Sequence, residues 1–196
     1  MHLIYEWLFP VLWCSFAAYW FISAIWVKNI KQTEPVVPRW IHLGLSSLAF
    51  VMTFSGKFRF GLLGWQLLAQ SNLTFFTGAA IALAGLSFAV WARLILGRNW
   101  SASVAVKEGH RLIRMGPYRL VRHPIYTGII AGLAGTALAI GQLRGLVAVI
   151  LLTATYLWKS RREEQLMVAE FGDEYVRYRH EVNALVPFAP RINRAV

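Results

Sequence analysis

Apolar and polar positions alternate in long blocks along this chain. Leu3 to Val27 is an apolar run long enough to span, since roughly 20 residues cross the hydrocarbon core of a bilayer. It is too long for the core of a signal peptide and no small-residue cleavage site follows, so it is expected to stay as a span. The polar stretch "KNIKQTEPVVPR", broken by Pro35 and Pro38, predicts a loop. Trp40 to Gly56 is the second span, and Leu73 to Leu96 the third. Between them "KFRFGLLGWQLLAQ" places Phe58, Phe60 and Trp65 at headgroup depth in an interfacial turn. Gly97 to Tyr118 is polar. Pro124 to Ala139 and Leu146 to Trp158 are shorter apolar segments around "IGQLRG", a pattern for a helical hairpin that crosses fully or partly. From Lys159 the sequence is charged, with Leu166, Ala169 and Phe171 at helical spacing, which predicts an amphipathic continuation on the membrane surface.

The expected fold is therefore all-α: an integral membrane, multi-pass bundle of about five helices. Residues 1–97 supply the N-terminal spans. Residues 98–196 form the catalytic region within one integrated domain. "GIIAGLAG", with Gly128, Gly132 and Gly135, has the small-residue spacing that lets membrane helices approach closely. A composition 57% hydrophobic, against about 45–50% in soluble domains, agrees with this reading. The one cysteine, Cys14, excludes an internal disulfide and a cysteine metal cluster, and its apolar setting predicts a packing role.

A net charge of +11 raises the question of nucleic acid, and the placement of that charge answers it. With five spans, one side of the membrane receives Lys28, Lys31, Arg39, the group from Arg93 to Arg122, and the group from Lys159 to Arg194. That is 17 of the 20 basic residues, leaving Lys57, Arg59 and Arg144 for the other side. The basic side is expected to be cytoplasmic, with the C-terminus there and the N-terminus outside. The charge is then matched to anionic membrane lipids, and no nucleic-acid partner is expected.

Candidate chemistry gathers on the basic side. Pro124 suits the first turn of a helix, and His123 before it is biased away from helical geometry, so the fourth helix should begin at "RHP". The helix start and Arg122 together suit a carboxylate or phosphate; a snorkelling arginine is the plainer reading. Glu163 and Glu164 follow the fifth apolar segment directly, where carboxylates are costly unless paired or functional. Pairing of Lys159 with Glu163, four residues apart, is the plainer reading there. No dinucleotide fingerprint, phosphate loop or metal-binding His spacing is present.

The order "RNWS" (98–101), "GHRLIRMGPY" (109–118), "RHPIYTG" (122–128) and "EEQLMVAEFGDEYVRY" (163–178), then Pro187, resembles the isoprenylcysteine carboxyl methyltransferases and their microbial relatives. The resemblance covers roughly residues 93–187. It implies a membrane enzyme that uses S-adenosyl-L-methionine without a Rossmann domain and methylates a lipophilic acceptor from the bilayer, at a cytoplasmic site. Carried over by position, it implies a cofactor lining of His110, Arg111, Leu112, Ile113, Tyr118, His123, Pro124, Ile125 and Tyr126, with Glu163 and Glu164 binding the cofactor. It implies catalytic roles for Lys159 and Arg122 and no metal. Lys159 stands where the family often has arginine; lysine keeps the charge without the planar two-point grip on a carboxylate. Two other chemistries share parts of this pattern. One is methylation of a phospholipid amine, which needs a proton removed first. The other is an NADPH-dependent sterol-reductase-like enzyme, with Arg111, Arg114, Arg119 and Arg122 on the phosphates. "EExxL…FGDEY" fits the methyltransferases better.

Overall fold

The computed structural model describes residues 2–25, 30–33, 36–97, 105–107 and 112–187. Among the described residues, six α-helices carry the chain: α1 (His2–Ala24), α2 (Val36–Phe54), α3 (Asn72–Leu96), α4 (Pro124–Ile140), α5 (Leu143–Phe171) and α6 (Asp173–Glu181). Three of them, α1, α3 and α5, are long and apolar enough to cross a membrane, and α4 is a shorter apolar helix. The all-α membrane architecture expected from the sequence is the one found.

The fifth apolar segment and the charged stretch after it form one helix, α5, so the helical continuation expected from Leu166, Ala169 and Phe171 is found. No Gly or Pro interrupts residues 159–171, which are mostly good helix formers, so α5 continues unbroken through the charged stretch. It stops at Gly172, where φ is +53°, a conformation that favours glycine. Lys159, Glu163 and Glu164 are thereby fixed rigidly to the helix that packs in the bundle. The predicted polar loop also contains a strand, β1 (Ile30–Thr33), paired antiparallel with β2 (Ala105–Lys107).

Helices α3 and α4 touch backbone to backbone. A β-carbon at Gly128 would lie 2.4 Å from the Gly85 carbonyl oxygen, and one at Gly135 would lie 2.4 Å from that of Gly78. The glycines of "GIIAGLAG" therefore act as expected, and Gly78 and Gly85 supply the matching face. The α4–α5 hairpin turns at Gly141 (φ +67°). Its carbonyl accepts from the Leu67 and Leu68 amides, while Leu143 N–H donates to Trp65 O. The α1 helix is tied to α4 by the Trp13 indole, which donates to Thr136 Oγ1 at 3.1 Å.

Buried arginines close the helix ends. Arg144, expected in an outer turn, is 2% exposed. Its guanidinium donates to the carbonyls of Met52, Thr53 and Ser55 at 2.8–2.9 Å, so it satisfies the orphan acceptors at the end of α2. Arg93 donates to Ser23 O and Gly97 O, joining the ends of α1 and α3. Both are structural cations, and their contribution to surface charge is correspondingly reduced.

Candidate active site

The site is assembled where the start of α4 meets the charged half of α5. Gly116–Arg119 forms a single 3-10 turn with Pro117 in its first residues. Tyr178 of α6 donates to Tyr118 O at 2.6 Å and pins that turn. His123 takes the N-cap position with φ −122° and ψ 61°, and α4 begins at Pro124, as the restriction on a residue before proline requires. The segment after α6 then lies along this helix start. Arg122 N–H donates to Asn183 O at 2.8 Å and His123 N–H to Ala184 O at 3.0 Å. The Thr127 hydroxyl donates to Leu185 O at 2.6 Å.

Within this frame the charged side chains alternate in sign. The Arg122 guanidinium reaches Glu164 Oε1 through Nε at 2.8 Å and Nη2 at 2.7 Å. Its Nη1 donates to the carbonyls of Arg179 and Val182. Arg179 Nε lies 3.4 Å from the other Glu164 oxygen. The His123 ring bridges the two glutamates: Nε2 is 3.1 Å from Glu164 Oε1 and Nδ1 is 3.4 Å from Glu163 Oε2. An imidazole can donate from both nitrogens only when protonated, so this geometry fits the imidazolium. Burial pulls the His123 pKa down, but the hydrogen bonds and charges of Glu163 and Glu164 outweigh it and hold it above the usual value. The Tyr126 hydroxyl donates to Glu163 Oε1. Tyr126 stacks between His123 (centroids 5.5 Å apart) and Tyr156 (4.6 Å). Lys159 Nζ lies 5.4 Å from the Tyr126 ring centroid, within cation–π range.

A cavity of about 890 Å³ opens from this network into the bundle. Its walls come from α1, α2, α4 and α5, and they are aromatic: Trp13, Trp20, Phe50 and Phe54 among them. Ile125, Tyr126, Tyr156 and Lys159 form the end that meets the charged site. Cys14, expected to be packed, is exposed along this wall.

The structure brings together Arg122, His123, Tyr126, Lys159, Glu163 and Glu164, all expected from the sequence. Pro124 and Ile125 are buried beside them, and Leu112 and Ile113 are half-buried. Tyr118 is buried in the core, with its hydroxyl toward Ala92 O. His110 and Arg111 lie outside the described residues. The expectation that Arg122 faces an incoming anion is altered: the anion at its guanidinium is Glu164, and the amides of Arg122 and His123, just before the helix, donate to Asn183 O and Ala184 O. Sequence reading missed Arg179, Tyr156, the segment 183–185 and the cavity wall. His42, a titratable residue inside an apolar span, was the one available signal for that wall.

This is a helical membrane protein with a charged site at the end of an apolar cavity. Comparison with known proteins identifies its class: residues 73–174 match the phospholipid methyltransferase family, and the chain belongs to that family. It is similar to the protein-S-isoprenylcysteine O-methyltransferase of Schizosaccharomyces pombe, 37% identical over 101 residues, covering 48% of this chain and 41% of that one. A probable protein-S-isoprenylcysteine O-methyltransferase of Oryza sativa subsp. indica is 28% identical over 116 residues, covering 58% and 61%. The uncharacterized protein YpbQ of Bacillus subtilis is 27% identical over 123 residues, covering 57% and 73%. The match thus spans less than two thirds of the first two relatives' length, and the family match over residues 73–174 includes the charged site.

Proposed function

We propose that this protein transfers a methyl group from S-adenosylmethionine to the carboxylate of a lipid-linked acceptor, of the prenylated-cysteine kind, on the cytoplasmic side of the membrane. The observation that carries this reading is Lys159. It lines the apolar cavity and packs over Tyr126, whose hydroxyl binds Glu163. One side chain therefore separates a place for a lipid tail from a carboxylate suited to a cationic ligand.

The residues fit such a cofactor. Glu163 keeps 20% side-chain exposure against 9% for Glu164, so it is the carboxylate more open to a ligand. The aromatic faces of Tyr126 and Tyr156 suit a cation beside it. When bound, the cofactor supplies an electrophilic methyl group on a sulfonium. Glu163 holds the cofactor's ammonium or ribose hydroxyls, and His123 and Tyr126 hold Glu163. Lys159 orients the acceptor carboxylate. That carboxylate is ionised at neutral pH, so no general base is needed, and the cavity contributes by excluding water and aligning the acceptor. Arg122 acts one step away as a positioning residue, because it fixes Glu164 and the start of α4. The cytoplasmic orientation rests on the 17-to-3 division of basic residues.

The test uses protein purified in detergent, methyl-labelled S-adenosylmethionine and N-acetyl-S-farnesylcysteine. A carboxyl methyl ester releases its label as methanol in mild alkali. Alkali-labile label on the farnesyl acceptor is expected. Alkali-stable label on phosphatidylethanolamine, with none on the farnesyl acceptor, would replace this reading with amine methylation. Binding of NADPH without binding of S-adenosylhomocysteine would replace it with reduction.

A further inference from the structure

Helix α5 turns two polar side chains into the same end of the cavity. Tyr156 and Lys159 both line it. They stand three residues apart on α5, nearly one turn, and so share a face. Both also meet Tyr126. The Tyr156 ring stacks on it with centroids 4.6 Å apart, and Lys159 Nζ lies 5.4 Å from its centroid. The phenol and the ammonium are therefore gathered around one ring, at the boundary between the apolar walls and the carboxylates.

The two stacked tyrosines differ in what their hydroxyls meet. That of Tyr126 donates to Glu163 Oε1. That of Tyr156 makes no hydrogen bond among the described residues, although a phenol hydroxyl inside a protein ordinarily finds a partner. A short hydroxyl side chain can turn to the carbonyl one helical turn back, as Thr153 and Thr155 do on this same helix. A tyrosine has no such recourse, because its hydroxyl sits at the far end of a rigid ring. The stack on Tyr126 fixes that ring, so the donor of Tyr156 is left to a group that enters the cavity.

Lys159 by itself leaves an acceptor half-oriented. An ammonium is a point charge on a flexible stem, with donors that rotate. It fixes where a carboxylate lies but not the direction of its plane. Methyl transfer is in-line, so one carboxylate oxygen must lie on the axis of the bond that breaks. A second donor, on a rigid ring and at a different angle, sets that plane.

We infer that Tyr156 is a further catalytic residue for carboxyl methylation: its hydroxyl donates to one oxygen of the acceptor carboxylate while Lys159 supplies the charge, and together they present the attacking oxygen. That oxygen forms the new bond to the methyl carbon, the electron pair of the carbon–sulfur bond stays on sulfur, and no proton moves. Tyr156 remains a donor throughout. The inference rests on the carboxyl-methylation reading above and adds a residue to it.

The experiment is a double-mutant cycle on Tyr156→Phe and Lys159→Arg, read with N-acetyl-S-farnesylcysteine and methyl-labelled S-adenosylmethionine. Tyr156→Phe keeps the ring and its stack, so S-adenosylhomocysteine should bind at native affinity. Its kcat/KM for the farnesyl acceptor should fall about tenfold, as loss of one hydrogen bond to a charged group implies. In the Lys159→Arg protein the planar guanidinium sets the carboxylate plane by itself, so adding Tyr156→Phe there should cost less than about twofold. Non-additivity of this sign marks two residues acting on one group. Equal losses in the two backgrounds, no loss in the native one, or a Lys159→Arg protein that transfers no methyl group overturns the assignment and leaves carboxyl methylation standing. So does a fall in S-adenosylhomocysteine affinity in Tyr156→Phe, which moves the hydroxyl to the cofactor. No methylation of the farnesyl acceptor by the native protein overturns carboxyl methylation itself, and the assignment falls with it.

Discussion

Glu164 receives the Arg122 guanidinium on a single carboxylate oxygen, from Nε at 2.8 Å and from Nη2 at 2.7 Å. Both side chains are about nine-tenths buried. The adjacent Glu163 shares His123 with Glu164 and otherwise faces Tyr126 and the cavity end. Two neighbouring carboxylates on one helix thus have one partner in common and differ in the rest, and they should fail differently when neutralised.

Glu164→Gln should act on stability. It leaves Arg122 and His123 as buried cations that have lost a shared counter-charge. Removing one partner of a buried pair costs about 3–5 kcal/mol. Thermal unfolding in detergent should shift strongly downward, with or without cofactor product. A melting temperature equal to the native one would show that the Arg122–Glu164 contact does not hold α4 to α5.

Glu163→Gln should act on ligand affinity. The shape is kept and the charge is lost. A hydrogen bond to a charged group contributes about 1.5–3 kcal/mol, so affinity for S-adenosylhomocysteine should fall tenfold to a hundredfold by calorimetry. Native affinity in this variant would remove Glu163 from the cofactor site.

These two glutamates also show what the sequence could and could not convey. The start of α4 was legible because Pro124 and the restriction it places on His123 are local effects. The α3–α4 contact was half legible, since Gly128, Gly132 and Gly135 declare a small-residue face, while Gly78 and Gly85 gain meaning only when paired with it. The division of labour between Glu163 and Glu164 was not legible. It depends on Arg122, Arg179 and the carbonyls of residues 182–184, brought from positions up to 60 residues away in sequence. No local propensity marks residues 183–185 as the segment that covers a helix start. The role of Arg144 was not legible for a related reason: charge counting assigns an arginine to one side of the membrane, and only the packed fold shows that it caps α2.

His123 should make stability depend on pH. Its folded-state pKa is raised because Glu163 and Glu164 outweigh burial. A raised pKa means that the folded chain holds this proton more tightly than the unfolded chain does. Below about 6.5, the ordinary histidine value, both forms are protonated and the contribution is fully present. As pH rises from there through the folded-state value, it is lost. Unfolding followed from pH 6 to pH 9 should show declining stability, and His123→Asn should flatten the decline. A native protein whose stability rises over the same range would show that the ring is not cationic.

Lys159 separates a structural role from an acceptor-directed one. On an exposed helix face, a lysine four residues before a glutamate contributes only about 0.3–0.5 kcal/mol. Lys159 is instead 7% exposed and lines the cavity, where its charge requires a partner. If that partner includes the acceptor carboxylate during turnover, Lys159→Ala should bind S-adenosylhomocysteine nearly as the native protein does, yet transfer methyl groups at least tenfold more slowly. Lys159→Arg keeps the charge and adds a planar fork that grips a carboxylate at two points. It should recover part of the rate, with a lowered KM for the acidic acceptor. If the lysine served only to hold Glu163, the Ala variant would lose cofactor affinity, and the Arg variant would change that affinity without changing acceptor KM. Measuring cofactor affinity and acceptor KM on both variants decides between the two, because an acceptor-directed charge moves the second quantity and a charge directed at Glu163 moves the first.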